Sequence, residues 1–303
     1  MPPTLRLATR SSPLARLQAE LVVAALGRAH PELAVEVVTS DTIGDRTQQV
    51  ALHEIGIRGL FTNEIDALVT SGRADLAVHS AKDLPSSEEG SDLVIAAVLP
   101  RGEVRDALVG SRLADLPPGG VIATGAPRRR VQLSALRPDL GFAPLRGNIA
   151  TRIDKTPVGG AAVVALAALE RLALGDRVSE VLPLEVCLPQ VGQGVIAVRC
   201  AAGRADVVSL LAAIDHTATH RALDAERGFL RRLGGGCDAA VGAYATAEGS
   251  DGTIRLEAMI ASGDGHVVLR RALEGTDPAE LGVTLAETML VRDGASLLVE
   301  VDR

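Results

Sequence analysis

The sequence has very few aromatic residues. Only Phe61, Phe142, Phe229 and Tyr244 represent them in 303 residues, and tryptophan is absent. Bases and sugars are held on aromatic faces, so a stacking nucleic-acid binder and an aromatic-lined sugar groove are disfavoured. Excess positive charge is missing too. Thirty-one Lys and Arg against 38 Asp and Glu give a formal net charge of −7, and no overall basic field draws polyanions. Three cysteines, Cys187, Cys200 and Cys237, form no CxxC and no even disulfide framework. The opening MPPTLRLATR has no apolar h-region, so a secretory signal is not expected and a cytoplasmic location is. The longest apolar stretch, Gly159 to Leu169, falls short of the roughly 20 residues a helical span needs, and no membrane association is expected. No GxxxxGK[ST] occurs, and Gly192-Gln193-Gly194 is not a dinucleotide fingerprint. Six histidines show no HExxH; His216 and His220 stand four apart without a third ligand, so no metal site is expected.

Hydrophobic residues make up 47% of the chain, enough for two or three cores at this length. Short apolar runs alternate with helical periodicity. Leu5–Ala8, Leu33–Thr39, Leu76–His79 and Leu93–Leu99 read as strands. Ser12-Pro13 supplies an N-cap and a first-turn proline for a helix to about Leu26, and Phe61–Ser71 reads as a second helix. Most of residues 40–59 reads as a long loop, which in a compact domain means a lid or a binding loop. A similar unit follows between Arg105 and Glu185, with strands near 120–124, 142–146 and 161–165 and helices opening near Pro127, Asn148 and Ala167. Gly194–Cys200 reads as one more strand. This order predicts mainly parallel sheets with helices on both faces, which bind ligands at the carboxyl ends of their strands. The last 65 residues change character. Three strands separated by Gly/Asp turns, and a helix opened by Asp277-Pro278-Ala279-Glu280, predict a small α+β domain.

Several strand exits carry charged side chains. Lys82 and Asp83 follow Leu76–His79, and all the other cations except Lys155 are arginine. Arg128, Arg129 and Arg130 occupy the first turn of the helix opening at Pro127, after Thr124. Cations there oppose the helix dipole, a placement that makes sense if an anion sits among them. Arg146 and Arg152 repeat the arrangement at the next exit, and Arg10, beside Ser11 and Ser12, does so at the first. Each cluster could simply be a solvated surface. As a set in an acidic protein they point to a ligand with several carboxylates. Leu233-Gly234-Gly235-Gly236-Cys237 could present an accessible thiol or be a glycine-rich helix end with an incidental cysteine. Cys200 reads as core.

These blocks together resemble the porphobilinogen deaminase (hydroxymethylbilane synthase) family nearly end to end. They are LATRSSPLA at 7–15, GLFTNEID at 59–66, RADLAVHSAKDLP at 73–85, RGNIATR at 146–152, LPQVGQG at 188–194, AERGFLRRLGGGC at 225–237 and VGAYA at 241–245. The resemblance implies two periplasmic-binding-protein-like α/β lobes and a C-terminal α+β domain with a three-stranded antiparallel sheet. The implied domains are 1–99 with 194–213, 100–193, and 214–303. It implies a transferase that joins four porphobilinogen molecules head to tail, losing ammonia each time, to give hydroxymethylbilane. The implied primer is a dipyrromethane cofactor in thioether linkage to Cys237. Asp83 matches the catalytic carboxylate, which would stabilise the cationic azafulvene formed as ammonia leaves. Arg10, Lys82, Arg128, Arg129, Arg146, Arg152 and Arg171 match carboxylate-binding positions, Ser12 and Thr124 hydrogen-bonding ones, and Phe61 a residue packed over the site. A monomer is implied. The sequence departs from the family pattern at Arg58, Gly125-Ala126-Pro127, Gly234 and Ala240.

The residues by themselves leave two other readings open. The alternation of strands and helices also suits a two-lobed solute-binding or ligand-sensing protein. Cys237 could instead be a nucleophile with His216 or His220 as its base.

Overall fold

The computed structural model describes residues 4–42, 62–87, 90–234, 240–247 and 252–298. Phe61, Cys237, Arg58 and most of segment 40–59 lie outside the described residues. The chain divides into two compact units, residues 1–101 with 195–220 and residues 102–194 with 221–303.

In the first unit β1 (Thr4–Arg10) leads into α1 (Pro13–Ala29). Ser12 caps that helix as its sequence position demands: its Oγ accepts the Ala15 N–H at 3.4 Å, and Pro13 fills the first turn. Alternation along β1 sends Leu5 and Leu7 into a core with Val22 and Leu26 of α1, and Ala8 to the opposite face. That opposite core is closed by Ile65 and Leu68 of α2 (Asn63–Thr70). Each buried Leu or Val contributes about 1.5–3 kcal/mol. The sheet has the order β2-β1-β3-β10-β4, with β2 (Ala34–Ser40), β3 (Leu76–Ser80), β4 (Leu93–Val98) and β10 (Ile196–Ala201). β1 pairs in parallel with β2 and β3, while β10 runs antiparallel to both of its neighbours. β3 is central, which is why LAV is apolar without alternation.

The second unit holds two sheets. One has the order β7-β6-β8-β5-β9, from β5 (Asp106–Gly110), β6 (Val121–Ala123), β7 (Gly141–Ala143), β8 (Ala161–Ala165) and β9 (Val178–Val181). β6 is parallel to β7 and β8, and β5 runs antiparallel to β8 and β9. Each α/β sheet is therefore mixed rather than mainly parallel: two of its four strand pairings are parallel, and the two made by its reversed fourth strand are antiparallel. Helices α3 (Pro127–Leu136), α4 (Ile149–Asp154) and α5 (Leu166–Arg171) follow β6, β7 and β8. The short strands β5 and β9 escaped the sequence reading.

The other sheet is an antiparallel meander of β11 (Val241–Thr246), β12 (Ile254–Ala261) and β13 (Val268–Gly275). In sequence α6 (Ala205–Ala212), which belongs to the first unit, precedes α7 (Thr217–Leu233), most of which belongs to the second, and α8 (Pro278–Glu287) opens at the Asp277 cap, whose carboxylate accepts the Glu280 N–H at 2.9 Å. Phe229 and Leu233 of α7 meet Leu281 and Leu285 of α8 over the meander. The two helices touch backbone to backbone at Gly228 and Gly282. A Cβ on Gly282 would lie 2.3 Å from the Ala225 carbonyl oxygen and 2.5 Å from the Phe229 nitrogen. Gly282→Ala is therefore expected to cost about 1–3 kcal/mol by overpacking. Gly203→Ala, whose Cβ meets nothing within 4 Å, should change little. Denaturant unfolding of the two variants checks the contrast.

Candidate active site

In the first unit the exits of β1 and β3 lie side by side, because the strands are parallel neighbours with Ala8 opposite Ala77. β1 delivers Arg10 and Ser12 to that edge. β3 delivers Lys82 and Asp83, which sit half-buried in a single tight turn, Ala81–Asp83. Two contacts fix this turn. The Ala81 N–H donates to the Val195 carbonyl at 3.0 Å, and Gln18 of α1 exchanges hydrogen bonds with Ser80, its Nε2 donating to Ser80 Oγ at 2.8 Å. Beneath the exit lies a buried polar network. His79 Nε2 is 2.9 Å from Asp66 Oδ1, and Arg199 reaches the other Asp66 oxygen. Asp66 belongs to α2, so the helix following segment 40–61 is held to β3 and β10 by charge as well as by apolar packing.

In the second unit Thr124 is buried at the end of β6. Its N–H donates to the Ala143 carbonyl at 2.9 Å, and its hydroxyl accepts the Ala126 N–H at 3.2 Å. The loop after β6 packs tightly on the loop after β7. A Cβ on Gly125 would lie 2.7 Å from the Leu145 carbonyl oxygen, so only glycine fits there, and Thr124 and Arg146 occupy adjoining loops. Arg146 Nη1 is buried and has no hydrogen-bond partner among the described residues. Arg152 Nε donates to the Gly147 carbonyl at 2.8 Å. Arg171 stands apart from these. Its Nη2 donates to the Gly194 carbonyl at 2.6 Å, and burial pulls its pKa below the usual guanidinium value.

Arg128 and Arg129 do occupy the first turn of α3, and an anion does sit among them, but the chain itself supplies it. Asp106, at the start of β5, has no solvent exposure. Its Oδ2 accepts from Arg128 Nη2 at 2.8 Å and its Oδ1 from Arg129 Nη2 at 2.7 Å. Gln193 Nε2 adds a third donor at 2.8 Å. Burial alone would raise the Asp106 pKa; the two guanidiniums outweigh it and hold the group far below the carboxylate range. Arg128 also donates to the Leu188 carbonyl, and Arg129 Nη1 to the Val163 carbonyl at 3.0 Å. The Arg129 Nε–H is left buried without a partner among the described residues. Arg130 is exposed and donates to the Gly263 carbonyl at 2.6 Å. Asp106 was missed in the sequence. Its one signal was a carboxylate opening an Ala-Leu-Val run, where no helix needs a cap.

The meander begins next to this cluster. Ala240 packs with Val131 of α3 and with Leu188. A Cβ on Gly242 would lie 2.9 Å from the Pro189 carbonyl oxygen and 3.1 Å from Arg128 Cδ. Ala240 and Gly242 thus lie beside the helix that carries Arg128 and Arg129. Among the described residues no group of His, Cys, Asp and Glu could hold a metal ion, and no helix is long and apolar enough to cross a membrane.

Comparison with known proteins decides the family. The family model "Porphobilinogen deaminase, dipyromethane cofactor binding domain" matches residues 5–209, and "Porphobilinogen deaminase, C-terminal domain" matches 221–291. The chain belongs to the porphobilinogen deaminase family. It is 45% identical over 301 residues to the porphobilinogen deaminase of Roseiflexus castenholzii, covering 97% of this chain and 98% of that one. It is 44% identical over 305 residues to that of Moorella thermoacetica, covering 98% and 96%. Among solved structures it is similar to the methionine binding protein MetQ at 13% identity and a TM-score of 0.46, over 73% of this chain and 93% of that one. Family membership makes the chain a transferase of tetrapyrrole synthesis whose first 200 or so residues match a cofactor-binding domain.

The two described cysteines are poor nucleophiles. Cys200 is buried in β10, and burial raises its pKa. Burial, reinforced by the Asp106 charge, pushes the Cys187 thiol up to about 12. Native protein at pH 8 is expected to leave both unalkylated by iodoacetamide over an hour, as read by peptide mapping. Rapid labelling of Cys187 would contradict its described environment.

Proposed function

We propose that this chain joins four porphobilinogen molecules head to tail into hydroxymethylbilane, building them on a dipyrromethane primer in thioether linkage to Cys237. One observation carries the proposal beyond family membership. The second unit holds two buried guanidinium N–H groups, Arg129 Nε and Arg146 Nη1, that have no partner among the described residues, on elements that follow adjacent strands. Unpaired buried donors are costly, and the carboxylates of an elongating pyrrole chain are acceptors of the right charge. These residues therefore suit the cofactor named by the matching domain.

When bound, the cofactor supplies the nucleophilic pyrrole carbon on which the chain grows. Arg129, Arg146 and Arg152 would hold acetate and propionate groups in the second unit; Arg10 and Lys82 would do so in the first, with hydrogen bonds from Ser12 and Thr124. Arg128 is the most committed of the set, and its share would be to shape the turn. Arg171 would act close to Gly194. Phe61 would pack over the site. Asp83 would face the pyrrole N–H groups. As the substrate's aminomethyl C–N bond breaks and ammonia leaves, its carboxylate would stabilise the positive charge on the ring. Asp83 would also assist transfer of the proton given up at the pyrrole carbon where the new C–C bond is made. The division into domains 1–99 with 194–213, 100–193 and 214–303, each with its own sheet, belongs to this proposal. So do a monomeric state and a cytoplasmic location.

Intact mass measures the attachment directly. Protein from a host that makes porphobilinogen is expected to carry added mass mapping to Cys237, with stepwise further gains on incubation with porphobilinogen. A bare polypeptide mass from such a host would refute the thioether. Asp83→Asn is expected to keep the added mass and lose about 10²–10⁴-fold in turnover. Near-normal bilane formation by that variant would remove Asp83 from its role.

A further inference from the structure

The cluster around Asp106 has an uneven charge count. Two guanidiniums face one carboxylate, and all three side chains are nine-tenths buried or more. Its remaining neighbours are neutral: the Gln193 amide at 2.8 Å, the Cys187 thiol at 3.5 Å from Asp106 Oδ2 and 3.4 Å from Arg128 Nη1, and the Gln132 amide 3.7 Å from that sulfur. The next charge outward is again positive: Arg270 Nη2 donates to Gln132 Oε1 at 2.6 Å. Among the described residues no second carboxylate hydrogen-bonds to either guanidinium. An isolated buried cation is expensive, so a fold does not leave one uncompensated without a counter-ion in view. The Arg129 Nε–H, which has no partner among the described residues, marks where a further acceptor would find its donor.

We propose that Asp106 is the positioning residue that clamps Arg128 and Arg129 through its two oxygens and leaves one unit of positive charge, so that this corner takes a single carboxylate of the pyrrole chain. The inference rests on the proposed function and adds to it a count. Two free arginines would accept two carboxylates, or one gripped by both forks. The clamped pair accepts one, chiefly through Arg129. Arg128, spent on Asp106, the Leu188 carbonyl and Cys187, holds the start of α3 in place. Gln193 shares in setting the count, because its neutral amide stands on Asp106 where a carboxylate would complete the neutralisation.

The test puts the missing charge into the protein. Gln193→Glu and Cys187→Asp each add a carboxylate beside the cluster, from different segments. Gln193→Met removes the amide without adding charge. Arg129→Gln asks whether the corner binds carboxylate at all. For each variant the melting temperature, the rate at which unloaded protein gains covalent mass from porphobilinogen, and KM and kcat of the loaded protein are measured. In whichever of the two acidic variants folds, we expect mass gain at least ten-fold slower or KM at least ten-fold higher. Loaded kcat should stay within about three-fold, and Gln193→Met should be clearly less impaired than Gln193→Glu. Folded acidic variants with both quantities within two-fold of the parent, while Arg129→Gln impairs either, would overturn the charge count alone. An Arg129→Gln variant that is itself unimpaired would overturn the carboxylate-binding role of this corner, and the inference with it. A Gln193→Met variant as impaired as Gln193→Glu would show packing rather than charge at work, and would also overturn the count.

Discussion

One carboxylate without access to water organises the second unit. Asp106 opens β5, yet its oxygens reach the first turn of α3 and the segment ending at Gly194. Through Arg128 it is tied to the carbonyl of Leu188, and through Arg129 to that of Val163 in β8. Four stretches distant in sequence are thus fixed at one point. Removing one partner from such a pair leaves a buried charge uncompensated, at a cost of about 3–5 kcal/mol. The arrangement is not an economical way to make a protein stable; well-packed apolar residues would do as well. Its value is positional. It holds two long, rotamer-rich side chains in one geometry before any ligand arrives, so the ordering entropy is already spent in folding.

The first unit solves the corresponding problem with neutral hydrogen bonds at the exit and charge below it. Gln18 and Ser80 tie α1 to the end of β3, and the Val195 carbonyl takes the Ala81 N–H, which leaves the Lys82–Asp83 turn little freedom. Asp66, His79 and Arg199 lie one layer deeper and join α2 to the sheet. Both units place their charged groups at carboxyl ends of parallel strands, where an open α/β sheet leaves side chains uncovered.

Much of this was legible where the signal is local. Ser12-Pro13, Asn148 and Asp277-Pro278 each announce a helix start, and all three cap as their chemistry requires. The meander was readable from alternation and Gly/Asp turns. The reversal of β10 was not, because strand direction depends on which distant segment it pairs with, and periodicity is blind to that. β5 was missed because Asp106 at its head disguised a strand as a loop exit, and β9 because Val178-Ser179-Glu180-Val181 carries little apolar signal. The arginine-rich first turn of α3 suggested a ligand anion. What sequence could not show is that the chain supplies an anion of its own, Asp106, twenty-odd residues upstream, and that Arg128 and Arg129 are unequal. The spacing of two residues along a chain carries no information about a contact closed by tertiary packing.

The central claim is that prearranged, partly unpaired guanidiniums hold the carboxylates of a pyrrole chain anchored at one sulfur. A crystal structure of the protein purified from a porphobilinogen-producing host tests it most directly. The account predicts density continuous from Cys237 Sγ into two pyrrole rings, with a carboxylate within about 3.2 Å of Arg129 Nε or Arg146 Nη1. Density ending at a bare thiol, or pyrrole carboxylates bound away from both arginines, would contradict it.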